Sequence, residues 1–192
     1  MLRRRSFDVA GAVLAASLLI GTGYLARRAM TPTEIRAFRR VNELPDEAFR
    51  AVWVPMQYGT FGAVPALAVL ALARRRFPMA AAVAAAGTSA WMLAKAVKPI
   101  VGRGRPAGIL TGVRQRGKEE GDLGFPSGHA AVSAALTMVI SPHLEGGWRL
   151  GCVALAGFVP VARMYVGAHL PLDVLGGSAL GVAVGSLVNL AV

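Results

Sequence analysis

Seven ionisable side chains beyond the midpoint of the chain are of types that bind an anion and move a proton: Lys98, Arg103, Arg105, His129, Arg163, His169 and Asp173. His169 and Asp173 stand four apart, so at the start of a helix both fall on one face. A carboxylate on one imidazole nitrogen fixes the tautomer and leaves the other nitrogen nucleophilic. The run from Phe125 to His129 reads as a helix start: Pro126 suits a first turn, Ser127 can cap, and Gly128 lets the chain approach a ligand closely. The N–H groups and positive dipole end of such a start attract an anion. Arg105 and Arg163 can fork onto two oxygens of that anion, and Lys98 adds a point charge from a helix end. Each residue taken singly has a plainer use. A basic residue at a span end anchors headgroups, Ser127 is an ordinary cap, and a lone histidine near a membrane face is interfacial, as His143 is read. Taken together, they could hold an anion between cations and present it with a nucleophile and a proton donor.

The elements that carry these residues follow from composition. The chain has 192 residues, 55% of them apolar and 16% charged, with a mean hydropathy of +0.53, short of the roughly one quarter charged residues of a soluble domain. That composition predicts an all-α bundle of six transmembrane helices, over about 9–26, 51–73, 77–97, 125–144, 148–168 and 171–192, forming a single membrane-embedded domain. A secretory leader shares the basic start and apolar core of the first run, but the run is long for one and is read as a span. Residues 27–50 mix charges with Ile35, Phe38, Val41 and Phe49 and predict an amphipathic interfacial helix, broken near Pro45. The net charge of +11 falls between apolar runs, not along one helix face, so membrane lipids and an anionic substrate are the expected partners and nucleic acid is not. Pro99 is expected to end the third span and Pro160 to kink the fifth. Gly177, Gly181 and Gly185 form a small-residue face on the last span, expected to pack within the chain, with a homodimer as the lesser alternative. Cys152 is read as packing. Arginine outnumbers lysine 18 to 3, a bias of GC-rich genomes that points to a bacterium.

With alternating spans, the ends of the third and fifth and the starts of the fourth and sixth lie on one side, and they carry the seven residues above. They also carry three blocks in order: KPIVGRGRP from Lys98 to Pro106, PSGH from Pro126 to His129, and ARMYVGAHLPLD from Ala162 to Asp173. In these blocks the chain resembles the type 2 phosphatidic acid phosphatase family of integral membrane lipid phosphatases, over about residues 35–192. Ala162 stands where the family pattern has serine, which affects tuning of the site more than the presence of its working groups.

The resemblance implies that His169 attacks phosphorus to give a phosphohistidine, that Asp173 orients it, and that His129 protonates the leaving oxygen and then activates water. It implies phosphate binding by Lys98, Arg105, Ser127, Gly128 and Arg163, with a polyprenyl (di)phosphate or phosphatidylglycerol phosphate favoured as substrate. A metal is the other use of His129, His169 and Asp173, but the surrounding cations would repel a divalent ion, and Glu119, Glu120 and Asp122 lack a recognised ligand spacing. Catalysis without metal or cofactor is expected. A non-catalytic scaffold or anion-translocating protein needs neither histidine nor Asp173, and a vanadium-dependent haloperoxidase would be soluble. The loop from Ala107 to Gly124 is expected to set selectivity. Arginine triplets at 3–5 and 74–76 place both termini in the cytoplasm, so the chain is expected in the cytoplasmic membrane with its site facing the periplasm or exterior.

Overall fold

The computed structural model describes residues 2–117 and 121–191, so Glu119 and Glu120 lie outside the described residues. Among these residues there is no strand, only an isolated antiparallel bridge between Gly104 and Leu123. The helices are α1 (Leu2–Ala26), α2 (Pro32–Asn42), α3 (Phe49–Met56), α4 (Ala63–Ala73), α5 (Phe77–Val101), the single turn α6 (Pro106–Ile109), α7 (Gly128–Ile140), α8 (Gly146–Tyr165) and α9 (Pro171–Ala191). Three of them are long and apolar enough to cross a membrane, over Arg5–Ala26, Phe77–Val101 and Pro171–Ala191.

The expected second span, 51–73, is broken. Asp46–Gly59 and Ala63–Ala73 meet at a bend of 67°. Pro55 removes one helical donor, and the Thr60 hydroxyl donates to the Gln57 carbonyl at 2.7 Å from an extended backbone, a local bond that competes with the helix. The break lets backbone meet backbone: a side chain at Gly59 would lie 2.6 Å from the His129 carbonyl oxygen. Pro99 does not end α5, which continues to Val101 and stops at Gly102 in the left-handed region (φ 67°), the usual glycine stop. α8 runs through Pro160 without interruption. Pro126 precedes the α7 helix instead of opening it, since Ser127 is the cap residue.

α7 is the central strut, packed against α5, α8 and α9. Ala131, Val132, Ala135, Leu136 and Val139 of α7 are buried against Val83, Ala86 and Ala90 of α5 and Leu180 and Val184 of α9. The glycine face of α9 makes this possible. A methyl at Gly177 or Gly181 would overlap the carbonyls of Ser127 or Ala131, and one at Gly185 would overlap the Met138 side chain. The face that a homodimer through Gly177, Gly181 and Gly185 would use is therefore filled by α7 of the same chain. Gly181→Ala is expected to cost about 1–3 kcal/mol by overpacking, read as a lower melting temperature in detergent; an unchanged melting temperature would show that α7 and α9 part without penalty.

α2 opens with Thr31, whose hydroxyl accepts the Glu34 N–H at 3.1 Å, and with Pro32 in its first turn, two standard start devices. Its buried face is Glu34, Phe38 and Asn42, four apart as one helical stripe requires. Two of those three are polar, and both reach the candidate site.

Candidate active site

Two backbone segments are clipped together at one end of the bundle. Past α5, the Arg105 N–H donates to the Asp122 carbonyl at 3.0 Å and the Gly124 N–H to the Arg103 carbonyl at 2.7 Å. This brings 103–105 beside 122–124, immediately ahead of the PSGH turn. The Ser127 N–H then donates to the Asp173 carbonyl at 2.9 Å, tying the start of α7 to the first turn of α9. The Ser127 hydroxyl accepts the Ala130 N–H at 3.5 Å and is fully buried, so it caps α7 from inside. A side chain at Gly128 would meet nothing within 4 Å. That glycine is not demanded by packing, and the space over it is open.

Arg105, His129 and Arg163 line one cleft of about 130 Å³, together with Trp53, Met56, Gln57 and Thr60 of the broken second span, Gln115–Gly117 of the connecting loop, and Val166–Ala168. Arg105 is oriented by its Nη1, which donates to the Ala168 carbonyl at 2.9 Å, and by its Nε, which donates to the Gly121 carbonyl. Arg163 is 3% exposed, on the last turn of α8, with Nη1 3.9 Å from the Met56 sulfur. Ala162 beside it is buried against Met56, Tyr165 and Val166. Lys98 is placed otherwise: its Nζ donates to the Leu123 carbonyl at 2.6 Å and reaches that of Gly124 at 3.5 Å, bracing the clip, and it is not among the residues lining the cleft.

His169 is 1% exposed and directly follows Ala168, which lines the cleft, though His169 is not itself among the lining residues. Its Nδ1 lies 3.7 Å from Asp173 Oδ2, just beyond hydrogen-bond reach, as catalytic contacts often are before substrate tightens them. Asp173 Oδ2 accepts the Leu170 N–H at 2.8 Å, and its Oδ1 accepts from Arg103 Nη1 at 3.1 Å. The other arm of Arg103, Nη2, is 2.7 Å from Glu34 Oε2, while Glu34 Oε1 accepts the Leu172 N–H at 3.2 Å. Burial works against the Arg103 charge, but the Glu34 hydrogen bond and the charges of Asp173 and Glu34 outweigh it and hold the guanidinium above its ordinary pKa.

The loop between α6 and α7 is pinned from α2. Asn42 Oδ1 accepts the Arg114 N–H at 2.9 Å and its Nδ2 donates to the Arg114 carbonyl at 2.9 Å and the Tyr165 carbonyl at 3.1 Å. Arg116 lies over the Tyr165 ring at 4.1 Å and forks onto Asp46 at 2.6 and 2.7 Å.

The structure therefore brings Arg105, His129 and Arg163 to one cleft, with the His169–Asp173 pair next to its lining residue Ala168 and with Ser127 and Gly128 at the start of α7. Sequence reasoning counted Arg103 among the seven conspicuous ionisable residues without giving it a role at the site, and gave Glu34 none. The available signal was the Glu34, Phe38, Asn42 stripe, which sets a carboxylate on the buried face of α2. Among the described residues, no group of three or more His, Cys, Asp or Glu is gathered as metal ligands would be.

Known proteins resemble the chain in sequence and in fold. The chain is 30% identical to an undecaprenyl-diphosphatase of Sulfolobus acidocaldarius over 121 residues, 62% of this chain and 57% of that protein. It is 31% identical to a lipid A 4'-phosphatase of Bacteroides thetaiotaomicron over 91 residues, 44% of this chain and 40% of that one. The chain thus spans about half the length of the curated relatives it matches. Its fold superimposes on a transmembrane PAP2 type phosphatidylglycerolphosphate phosphatase of Bacillus subtilis with a TM-score of 0.72, at 21% identity, covering 91% of this chain and 94% of that one. LpxE of Aquifex aeolicus gives 0.71, also at 21% identity, covering 81% and 93%. The family model described as PAP2 superfamily matches residues 77–192, from the first residue of α5 through the clip, the His169–Asp173 pair and all of the cleft lining except Trp53, Met56, Gln57 and Thr60, and the chain belongs to that superfamily.

Proposed function

We propose that the chain is a membrane phosphatase that hydrolyses a lipid phosphate or diphosphate through a phosphohistidine on His169. The observation that carries this reading is the convergence of Arg105, Arg163 and His129 on one small cleft, with His169 next in the chain to the lining residue Ala168 and the Asp173 carboxylate 3.7 Å from its ring. A cleft of about 130 Å³ has room for a few water molecules, the scale of a phosphoryl group and not of a lipid, so the lipid tail stays in the membrane.

In the first half-reaction His169 Nε2 forms a bond to phosphorus while the bond to the leaving oxygen breaks, and His129 gives that oxygen its proton. Arg105 and Arg163 hold the equatorial oxygens as charge spreads over them. In the second half, His129 takes a proton from water, whose oxygen replaces His169 on phosphorus and releases inorganic phosphate. No step calls on a metal, and the guanidinium groups supply the charge a metal would. The relatives named for undecaprenyl diphosphate and lipid A support an amphiphile bearing a phosphate or diphosphate as substrate, with a polyprenyl diphosphate or phosphatidylglycerol phosphate first in line. The test is phosphate release from a panel of such lipids by the purified chain in detergent with chelator present. Release that survives the chelator and stops with vanadate supports the reading, and no release from any lipid overturns it.

His129→Ala is expected to impair lipid phosphates much more than activated aryl phosphates, whose leaving oxygens need little protonation. Equal losses on both would remove His129 as the proton donor.

The six-span reading counts the bent α3–α4 pair as one span and α7 and α8 as two more, with α2 lying in the interface. In that arrangement the uncompensated arginines at 74–76 mark the cytoplasmic side, and the cleft opens to the periplasm or exterior. A cysteine at exposed Thr111, in a Cys152→Ser background, is expected to react with an impermeant maleimide in intact cells. Labelling only after lysis would reverse the orientation.

A further inference from the structure

We infer that Glu34 and Arg103 are positioning residues for the histidine chemistry: through Arg103, Glu34 holds Asp173 in the one orientation in which a carboxylate oxygen addresses His169. The inference rests on the reading of His169 as the nucleophile, and it draws on α2, which lies outside the residues matched by the family model.

Three charged side chains are buried in a row, with Glu34 6%, Arg103 5% and Asp173 0% exposed. Burying an ion pair seldom repays its desolvation, and apolar residues of the same volume commonly serve packing as well or better. Packing therefore does not account for the row, whereas orientation does. Asp173 is held at both oxygens, Oδ1 by Arg103 at 3.1 Å and Oδ2 by the Leu170 N–H at 2.8 Å, so its carboxylate cannot turn away from His169 Nδ1. Arg103 is held in turn because its second arm is bound by Glu34 at 2.7 Å. Glu34 spends its other oxygen on the Leu172 N–H, which fixes the start of α9 to the same frame.

Charge gives Glu34 a second part. Arg103 with Asp173 alone would be a neutral pair, leaving little field on the ring. With Glu34 sharing the guanidinium, the row carries one net negative charge, which favours the positive charge that develops on His169 as Nε2 bonds phosphorus. The other ionisable groups around this end are His129 of α7, Arg163 of α8, Lys98 of α5, Arg105 and exposed Asp122 of the loops, and Arg116, which lines the cleft and is paired with exposed Asp46. Four of these are cations, and Asp122 and Asp46 are set in water, so the buried pair of carboxylates is the counterweight at the nucleophile.

The test uses the full chain in detergent with a polyprenyl diphosphate as probe, reading kcat and KM separately. Alongside it, the ring nitrogen-15 shifts of His169 at a pH where the ring is neutral report its tautomer without turnover. Glu34→Gln keeps the size and removes the charge. It is expected to lower kcat about ten- to a hundredfold, the usual scale for outer partners of working side chains, with KM within about twofold. A second tautomer of His169 is expected to appear, and Glu34→Asp, which keeps the charge, is expected to recover most of the loss. A folded Glu34→Gln with wild-type kcat and unmoved His169 shifts overturns the inference, as does a loss confined to KM or to melting temperature. If Glu34→Gln does not fold, the double variant Glu34→Gln/Arg103→Gln, which releases Asp173 Oδ1 but leaves the Asp173 charge, tests orientation alone: a lower kcat with a second His169 tautomer supports the inference, and wild-type kcat with unmoved His169 shifts overturns it. If the wild-type chain releases no phosphate from any lipid, the phosphatase reading fails while the His169 shifts still decide the role of Glu34.

Discussion

His169→Ala is expected to lower phosphate release by on the order of a thousandfold or more, with the chain still folded and its detergent melting temperature close to wild type. The loss is large because the step removed is covalent: neither Arg105 nor Arg163 is a nucleophile, and His129 is committed to the proton of the leaving oxygen. The fold survives because His169 lies between α8 and α9, outside the α5–α7–α9 core. Its removal leaves a small space between α8 and α9 and breaks no helix. Activity within tenfold of wild type, with melting unchanged, would remove His169 from the mechanism.

Asp173→Asn is expected to cost nearly as much, about a thousand- to ten-thousandfold, by analogy with other histidine nucleophile and base systems in which the amide stabilises the wrong tautomer. Here the amide also loses the charge that Arg103 answers. The guanidinium then turns wholly to Glu34, and the field on His169 falls with it. Because the two residues act as a unit, His169→Ala/Asp173→Asn is expected to be no slower than His169→Ala alone. Multiplying losses would show that the pair acts separately. Kinetics on one lipid phosphate, at matched protein concentration and with melting curves for each variant, supply both numbers.

What could be read from the residues was the part written in local patterns. Uncharged runs marked α1, α5 and α9, and the spacing in the three blocks marked the ends of α5 and α8 and the starts of α7 and α9, so Arg105, His129, Arg163, His169 and Asp173 were assigned together. The glycines of α9 pointed to a close helix contact, and α7 is the helix that fills it. What was illegible depends on pairs far apart in the chain. Arg103 and Glu34 are separated by 69 positions, and nothing local in either segment names the other. Lys98 was read as a phosphate ligand from its place in the first block, and no local pattern announced that its ammonium also braces the clip through the Leu123 and Gly124 carbonyls. The second span read as continuous because hydropathy does not register the Thr60 to Gln57 bond or the contact of Gly59 with α7. Pro99 was given too much weight, since a proline disfavours the helix before it without forbidding it, and the left-handed Gly102 is the stronger stop.

The measurement that reaches the central claim most directly is trapping of the intermediate. A phosphorus-32-labelled activated aryl phosphate, whose leaving oxygen needs little protonation, mixed with His129→Ala protein, which is slowed in releasing its phosphoryl group to water, and quenched in base is expected to leave label on the protein, stable to alkali and lost in acid, on the peptide that contains His169. His169→Ala protein treated in parallel is expected to carry none. Label found elsewhere, or full hydrolysis with no protein-bound phosphate at any quench time, would contradict a phosphohistidine at His169 and with it the account of this site.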